Sequence, residues 1–157
     1  MKLKLIVLGK TDKKDLQGLI EDYEARIRHY LPFEIEVIPD IKRSRNSSQE
    51  EVRNMEGKAI LDRVKPSDIV FLFDEKGKPY SSRGFAKLLQ KQMNAGHKQW
   101  ILVVGGAFGF SKEVYNRAQG KISLSEMTFS HQMVRLLIVE QLYRANTILK
   151  GEPYHHD

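Results

Sequence analysis

The chain has 157 residues, of which 26 are Lys or Arg and 20 are Asp or Glu, so its formal net charge is +6 at pH 7. This length suits one compact domain with its own core. With 41% hydrophobic and 29% charged residues, the composition excludes wholesale disorder. The absence of cysteine excludes disulfides, cysteine-ligated metals and thiol nucleophiles. A basic chain favours a polyanionic partner such as nucleic acid, although an ordinary basic protein has the same charge.

No segment of the sequence predicts targeting or membrane insertion. The N-terminal apolar run is too short for a signal peptide, and no run reaches the roughly 18 apolar residues of a membrane span. We therefore expect a soluble, cytoplasmic protein with no membrane partner. The sequence contains no linker, repeat or low-complexity tract, and we predict one domain over residues 1–157.

The first half of the chain alternates strand and helix signals. Leu3–Leu8 is a short apolar run typical of a buried strand. Thr11 or Asp12 is predicted to cap the next helix, and Pro32 to end it. Phe33–Ile38 alternates apolar and acidic residues, which predicts a half-exposed strand near a sheet edge.

The same alternation continues to the C-terminus. Further buried strands are predicted over Ile69–Phe73 and Trp100–Val104, with a loop over Lys76–Pro79 and a last short strand over Lys121–Ser125. Four more helices are predicted, with caps at Ser47 or Ser48, Ser81 or Ser82, Ser111, and Ser130 or His131. Five strands alternating with helices predict an α/β domain with a mainly parallel sheet and helices on both faces.

The last predicted helix, which ends near Lys150, is apolar around most of its circumference. A helix of this kind is buried on all sides. It either lies at the centre of one chain or is covered by a second chain. We favour the second interpretation, a two-fold homodimer.

Three polar loops follow predicted strands, at 73–77, 105–109 and 123–129. The carboxyl ends of parallel strands form the usual ligand crevice of such sheets. The glycine-rich loop Gly105–Gly109 matches neither a phosphate-binding loop with Gly-Lys-Ser/Thr nor the dinucleotide fingerprint. A tight turn and a ligand-binding loop explain it equally well. The loops lack a nucleophile, and they suit a cofactor held by backbone groups and apolar walls.

Basic side chains near the C-terminus are the other candidates. Arg135 and Arg144 lie on the apolar helix, where a buried Arg must be paired in a salt bridge or must face an anion. His131 at the start of that helix is ordinarily a capping or core residue. The adjacent His155 and His156 make a poor metal site, so we predict no metal.

Four sequence blocks together resemble the ribosomal RNA large subunit methyltransferase H family, which belongs to the SPOUT class of knotted methyltransferases. They read FLFDEKGKP at 71–79, VGGAFG at 104–109, LSEMTFSH at 124–131, and YRA at 143–145 followed by PYH at 153–155. No single block is decisive, but their order and spacing match along the whole chain.

The resemblance implies methylation of N3 of a pseudouridine in 23S ribosomal RNA, on assembled ribosomes, with S-adenosylmethionine as cofactor. It also implies a homodimer and a C-terminal trefoil knot, which composition and periodicity do not indicate. The cofactor-binding residues implied by position are Phe73, Gly105, Leu124, Ser125, Glu126, Met127, Thr128 and Phe129. The chain departs from the family pattern at Phe73, Ser130 and His156, where the family usually has Leu, Pro and a basic residue.

The resemblance places the reacting base of the RNA at the C-terminal tail. His155 is the first candidate for the general base and Tyr154 for its orienting partner, with His131 as the alternative base. Arg135 and Arg144 are candidates for holding RNA phosphate. Two other functions stay open: an RNA-binding module without catalysis, and a nucleotide-dependent oxidoreductase, against which the position of the glycine loop argues.

Overall fold

Over residues 1–156, which the computed structural model describes, five strands alternate with five helices. In chain order the elements are β1 (Lys2–Leu8), α1 (Lys14–Arg28), β2 (Phe33–Ile38), α2 (Gln49–Leu61), β3 (Ile69–Pro79), α3 (Ser82–Asn94), β4 (Gln99–Val104), α4 (Lys112–Arg117), β5 (Gly120–Ser123) and α5 (Met133–Lys150).

The strands form one sheet in the order β2-β1-β4-β3-β5, and every neighbouring pair is parallel. The predicted α/β class and the edge position of β2 are confirmed. The acidic face of β2 is neutralised by neighbouring cations, since Glu34 pairs with Lys2 at 2.9 Å and Glu36 with Lys4 at 2.6 Å. From β1 the chain continues to β2 on one side of the sheet, and from β4 it continues to β5 on the other side. The topological switch point of the sheet therefore lies between β1 and β4.

Each face of the sheet carries its own core, because successive side chains of a strand point to opposite faces. Trp100 and Leu102 of β4 belong to the cluster that includes α1, α3 and α5, whereas Ile101 and Val103 belong to the cluster with α2 and α4. The prediction of helices on both faces is confirmed. The carboxyl ends of β3, β4 and β5 are left open between the helices.

The structure corrects the prediction of a loop at Lys76–Pro79. After a register shift beyond Phe73, β3 resumes its pairing with β5, and Lys78 lies opposite Ile122. Gly77 permits the close approach, because a Cβ atom there would lie 2.6 Å from the backbone nitrogen of Ile122. Strand β5 correspondingly begins at Gly120 and ends at Ser123, two residues before the predicted end.

The predicted helix caps are confirmed before α2, α3, α4 and α5, and wrong before α1. The hydroxyls of Ser48, Ser81 and Ser111 accept hydrogen bonds from the first turns of α2, α3 and α4. Helix α1 begins after Lys13 with no side-chain cap. The Thr11 hydroxyl instead accepts from Arg135 of α5, and the Asp12 backbone nitrogen donates to Gln132 just before α5. Helix α5 begins at Met133, and the Ser130 hydroxyl accepts a hydrogen bond from the Met133 nitrogen at 3.1 Å.

Helix α5 packs between α1 and α3 on one face of the sheet. Ile138, Val139 and Leu142 are fully buried within the chain. The alternative of a helix at the centre of one chain therefore explains this buried face, and its burial does not by itself require a partner. Apolar side chains remain exposed near the start of α5, namely Met127 at 76%, Phe129 at 38% and Met133 at 45%.

Candidate active site

A cleft of about 680 Å³ opens at the carboxyl ends of β3, β4 and β5, within the size range of small-molecule sites. The three loops singled out from the sequence meet there. Seven of the eight predicted cofactor residues line it: Phe73, Gly105, Leu124, Ser125, Met127, Thr128 and Phe129. Glu126 belongs to the same loop but is not among the lining residues. His131 also lines the cleft, and its predicted role as an alternative base stays a prediction.

Local hydrogen bonds shape the loops of the cleft. Ser125 Oγ accepts a hydrogen bond from the Met127 backbone nitrogen at 2.9 Å, which closes a turn between β5 and α5. In the glycine loop, the Gly109 nitrogen donates to the Gly106 carbonyl at 3.2 Å, and Gly109 has a φ of +78° that favours glycine. Backbone groups and apolar side chains therefore form much of the cleft wall.

Two glycines of this loop lie against other side chains of the protein. A Cβ atom on Gly105 would lie 3.0 Å from the Phe110 ring, and one on Gly106 would lie 2.5 Å from Glu56 Oε2. The space beside each glycine is occupied by a protein side chain, so a larger residue at either position has to displace the Phe110 ring or the Glu56 carboxylate. No local pattern in the sequence points to Glu56, because its proximity to Gly106 depends on how α2 packs.

The Glu56 carboxylate is partly buried beneath the glycine loop. Its Oε2 atom is buried and has no hydrogen-bond partner among the described residues. Burial raises the pKa of Glu56, nearby Asp40 adds to this effect, and Arg43 opposes it. The ionised carboxylate therefore destabilises the folded chain at neutral pH.

We expect Glu56→Gln to raise the melting temperature near pH 8, and the gain to shrink as the pH falls toward 4. A raised acid pKa means that the folded state binds the proton more tightly, so wild-type stability decreases as pH rises above the ordinary Glu range. A gain of about 2–4 °C corresponds to about 1 kcal/mol in a chain of this size. Thermal unfolding across this pH range measures it, with exposed Glu21→Gln as the control. A gain in melting temperature that does not change with pH would contradict a raised pKa of Glu56.

Arg135 is buried, with 3% of its surface exposed, and it anchors α5 to the end of β1. Its guanidinium donates to the carbonyls of Leu8 at 2.6 Å and Gly9 at 2.9 Å, and to Thr11 Oγ1 at 3.1 Å. Burial lowers the pKa of Arg135. This placement corrects the expectation that Arg135 faces RNA phosphate, because both Nη groups already serve acceptors of the fold, and the remaining donor, Nε, is buried without a partner among the described residues.

The C-terminal tail folds back onto α1 and α5. The Tyr154 hydroxyl donates to Glu140 Oε1 at 3.1 Å and lies 3.2 Å from the Tyr23 hydroxyl. Its ring packs edge-on against Tyr143 at 4.7 Å between centroids. Burial and the hydrogen bond with Tyr23 raise the pKa of Tyr154 well above its usual range. Tyr154 is therefore a hydrogen-bond donor at neutral pH and not a base.

Arg144 connects the tail to α5. It donates to Glu140 Oε1 from Nη2 at 2.6 Å and from Nε at 3.1 Å, and this hydrogen bonding raises its pKa. The guanidinium lies 4.7 Å over the Tyr154 ring, and Nη1 is 3.3 Å from His155 Nδ1. The structure thus brings Arg144, Tyr154 and His155 together. The structure adds Glu140 to this cluster. In the sequence, only the spacing of four residues between Glu140 and Arg144 points to this contact.

The tail cluster and the cleft are separate within one chain. None of the tail residues over 152–156 lines the cleft. Val134 lines it, and Arg144 lies ten residues further along α5, about 15 Å at the helical rise per residue. A site that uses both groups is therefore incomplete in the single chain.

Over residues 1–156, no helix combines the length and apolar character that crossing a membrane requires. Nor do three or more His, Asp or Glu side chains in that range converge as potential metal ligands.

A family model described as "Predicted SPOUT methyltransferase" matches residues 1–155, and the chain belongs to this family. Relatives named "Ribosomal RNA large subunit methyltransferase H" align over the whole length. The protein of Christiangramia forsetii is 56% identical and that of Flavobacterium johnsoniae 54% identical, each with 99% of both chains covered. The Parabacteroides distasonis protein is 52% identical with 100% of both chains covered.

The methyl donor of SPOUT methyltransferases is S-adenosylmethionine, and the cleft fits it. Its walls combine apolar side chains, such as Phe73 and Leu124, with the exposed backbone of the glycine loop. Two carboxylates, Asp74 and Glu75, also line the cleft and suit a ligand that carries positive charge. The donor supplies an activated methyl group, and the protein needs no metal to use it.

Proposed function

We propose that this chain is an S-adenosylmethionine-dependent methyltransferase that methylates N3 of a pseudouridine in 23S ribosomal RNA. The proposal includes the cytoplasm as its location, assembled ribosomes as its substrate and a trefoil knot in a single domain over residues 1–157. The observation that carries it is the cleft, where loops after β3, β4 and β5 converge in a chain with whole-length methyltransferase relatives. The net charge of +6 suits a ribosomal partner.

The residues of the tail supply what the reaction needs from the protein. Methyl transfer to an imide nitrogen needs alignment of donor and acceptor and removal of the N3 proton. We propose that His155 accepts the N3 proton. Arg144, held in place by Glu140, then stabilises the negative charge on the pseudouridine base. Tyr154 donates a hydrogen bond and orients its neighbours.

The contact between Arg144 and His155 constrains this assignment. An Arg side chain has donors only, so the nearby His155 Nδ1 accepts, which leaves the proton of a neutral imidazole on Nε2. For His155 to act as a base through Nδ1, that atom has to leave Arg144. Movement of the tail toward a cleft is therefore part of the proposed reaction.

We propose a two-fold homodimer in which the cleft of one protomer meets the tail of its partner. The separation of these groups within one chain supports this arrangement, as do the exposed Met127, Phe129 and Met133 beside the cleft. Leu137 is only partly buried and suits a test of the interface. Ile138 does not, because it is fully buried inside the chain, and a charge there would unfold it.

Incubation with labelled S-adenosylmethionine and ribosomes that lack the methyl group tests the activity, and mass spectrometry of the RNA locates the product. We expect incorporation at N3 of a pseudouridine in 23S RNA. Cofactor binding without incorporation would contradict the proposal. Ribosome binding without cofactor binding would favour the non-catalytic RNA-binding module, and NAD binding would favour the oxidoreductase.

We expect Gly106→Ala to weaken S-adenosylmethionine binding by roughly 5- to 150-fold, the range that an overpacking cost of about 1–3 kcal/mol gives. The added methyl group meets the Glu56 carboxylate and displaces the glycine loop toward the cleft. Calorimetry measures the affinity. Gly18→Ala is the matched control, because its Cβ atom meets nothing within 4 Å. Equal affinity of the two variants would remove this loop from the cofactor site.

Ribosome binding is expected to weaken steeply with salt, and replacing Lys42, Arg43 and Arg45 with Gln should reduce the slope. The slope of log affinity against log salt changes by roughly 0.7 for each phosphate of single-stranded RNA that the protein no longer neutralises. Co-sedimentation at several salt concentrations measures it. The matched control replaces three exposed lysines of α3 and the turn before β4, Lys87, Lys91 and Lys98. Equal slopes in the two triple variants would mean that the loop is ordinary solvated surface.

A further inference from the structure

A second cavity of about 420 Å³ lies beside the cleft, along the edge of the sheet formed by β5. Its lining residues are Asp74, Lys76, Tyr115, Ala118, Gln119, Gly120 and Lys121. Asp74, Lys76 and Tyr115 also line the cleft, so the two cavities share a wall. A molecule whose reacting group occupies the cleft therefore has a continuous path into the second cavity.

Tyr115 forms a fixed aromatic surface in this wall. Its hydroxyl donates to Asp74 Oδ2, and its ring packs edge-on against Phe110 with 5.7 Å between centroids. Burial and the hydrogen bond to Asp74 raise the pKa of Tyr115 to about 12, so the phenol stays neutral. The residue is nevertheless 37% exposed. Exposed aromatic rings held in this way are stacking surfaces for the bases of single-stranded nucleic acids.

The cations of the cavity are not neutralised by carboxylates. Among the described residues, neither Lys76 nor Lys121 forms an ion pair, and Lys121 Nζ lies 5.5 Å from the centre of the Tyr115 ring. Arg117, close by, is engaged instead, since its Nη2 donates to the carbonyls of Lys65 and Asp68 at 2.8 Å each. Two ammonium groups beside an aromatic ring match the phosphate and base of a nucleotide.

We propose that this second cavity is a subsite for an RNA nucleotide adjoining the methylated base. Its base stacks on Tyr115 and its phosphate contacts Lys76 and Lys121. The inference rests on the proposed function and specifies how that site holds its substrate. The cofactor does not need this space, because the cleft alone falls within the size range of small-molecule sites.

The same side of the cleft carries a second aromatic ring with a cation over it. The Arg43 guanidinium lies 5.7 Å from the centre of the Phe108 ring, and Arg53 Nη1 donates to the Phe108 carbonyl at 3.5 Å. Two aromatic rings of the cleft lining, Phe108 and Tyr115, thus each have a cation over them. Such an arrangement follows a nucleic-acid backbone, whereas a pocket for a small anion needs only the cations.

Steady-state methylation of undermethylated ribosomes tests the subsite, with Tyr115→Ala, Tyr115→Phe and Lys121→Gln compared against Lys87→Gln on exposed α3 surface. We expect Tyr115→Ala to raise KM for ribosomes by roughly 5- to 100-fold, as removal of one stacked base does. Tyr115→Phe keeps the ring and should retain most of the affinity. Lys121→Gln should raise KM and reduce the salt slope by roughly 0.7. We expect the kcat of Lys121→Gln to change little.

Calorimetry with S-adenosylhomocysteine separates the subsite from the cofactor site and from folding. Lys121→Gln should bind it with wild-type affinity. A parallel loss of cofactor affinity would assign the cavity to the cofactor and overturn the proposal, as would an unchanged KM in both Tyr115→Ala and Lys121→Gln. If the wild-type protein methylates nothing, the proposed function fails. Co-sedimentation with ribosomes then decides the subsite, since equal binding of Lys121→Gln and Lys87→Gln would refute it.

Discussion

Truncation after Pro153 is expected to abolish methyl transfer while the chain stays folded and keeps most of its cofactor affinity. The described part of the tail lines no part of the cleft, so cofactor binding should survive its removal. Ending the chain after Pro153 also retains the hydrogen bond from the Tyr30 hydroxyl to Glu152 at 2.6 Å, which fastens the preceding turn to the residues that follow α1. A terminus with no catalytic role is ordinarily dispensable. Methylation of ribosomes by the truncated chain, with calorimetry as the folding control, distinguishes the two cases.

Single substitutions show which residue of the tail is responsible for the loss of methyl transfer. His155→Ala should lower kcat by roughly a hundred- to ten-thousand-fold, the usual contribution of a general base. His156→Ala is the matched neighbour, and its effect should be small; His156→Arg should be tolerated. Wild-type rates in the truncated chain would show that the tail takes no part in the chemistry. The base would then be sought at His131, which lines the cleft.

Much of the fold follows from patterns that are local in sequence. Apolar runs such as Trp100–Val104 identify the buried strands, and the serines before α2, α3 and α4 mark where these helices begin. Local patterns fail where a distant segment decides the outcome. Lys76–Pro79 has the composition of a loop, yet it is a strand because β5 supplies pairing partners more than 40 residues later.

In the candidate site, too, some features follow from local sequence patterns and others depend on distant segments. The sheet class is enough to place three loops at one edge, because the carboxyl ends of parallel strands share that edge. The partners of buried charges cannot be predicted from the sheet class in this way. Arg135 serves carbonyls of β1 and the turn that follows it, more than 120 residues away, and Glu56 lies beneath Gly106 through the packing of α2. Periodicity shows that a charge is buried but does not show which group it meets.

Co-expression of two defective chains is expected to restore methyl transfer that neither chain has alone. One chain lacks the tail after Pro153, and the other carries Gly106→Val, whose side chain collides with Glu56 and closes the cofactor cleft. If each active site combines the cleft of one protomer with the tail of its partner, every mixed dimer holds one intact pair. Mixed dimers form half of a random population and carry one working site of two, so the activity should approach about a quarter of the wild-type value.

The interface variant completes this test. Leu137→Glu, introduced into both defective chains, places an unpaired charge on the exposed side of α5 and should abolish the restored activity. Light scattering should then show monomers, whereas we expect the wild-type protein to be a dimer at micromolar concentration. If cleft and tail of the same chain formed the site, each chain would lack one half of it, and mixing would restore nothing. Restored activity that survives Leu137→Glu would place the dimer contact elsewhere, because the tail reaches the partner's cleft only across an intact interface.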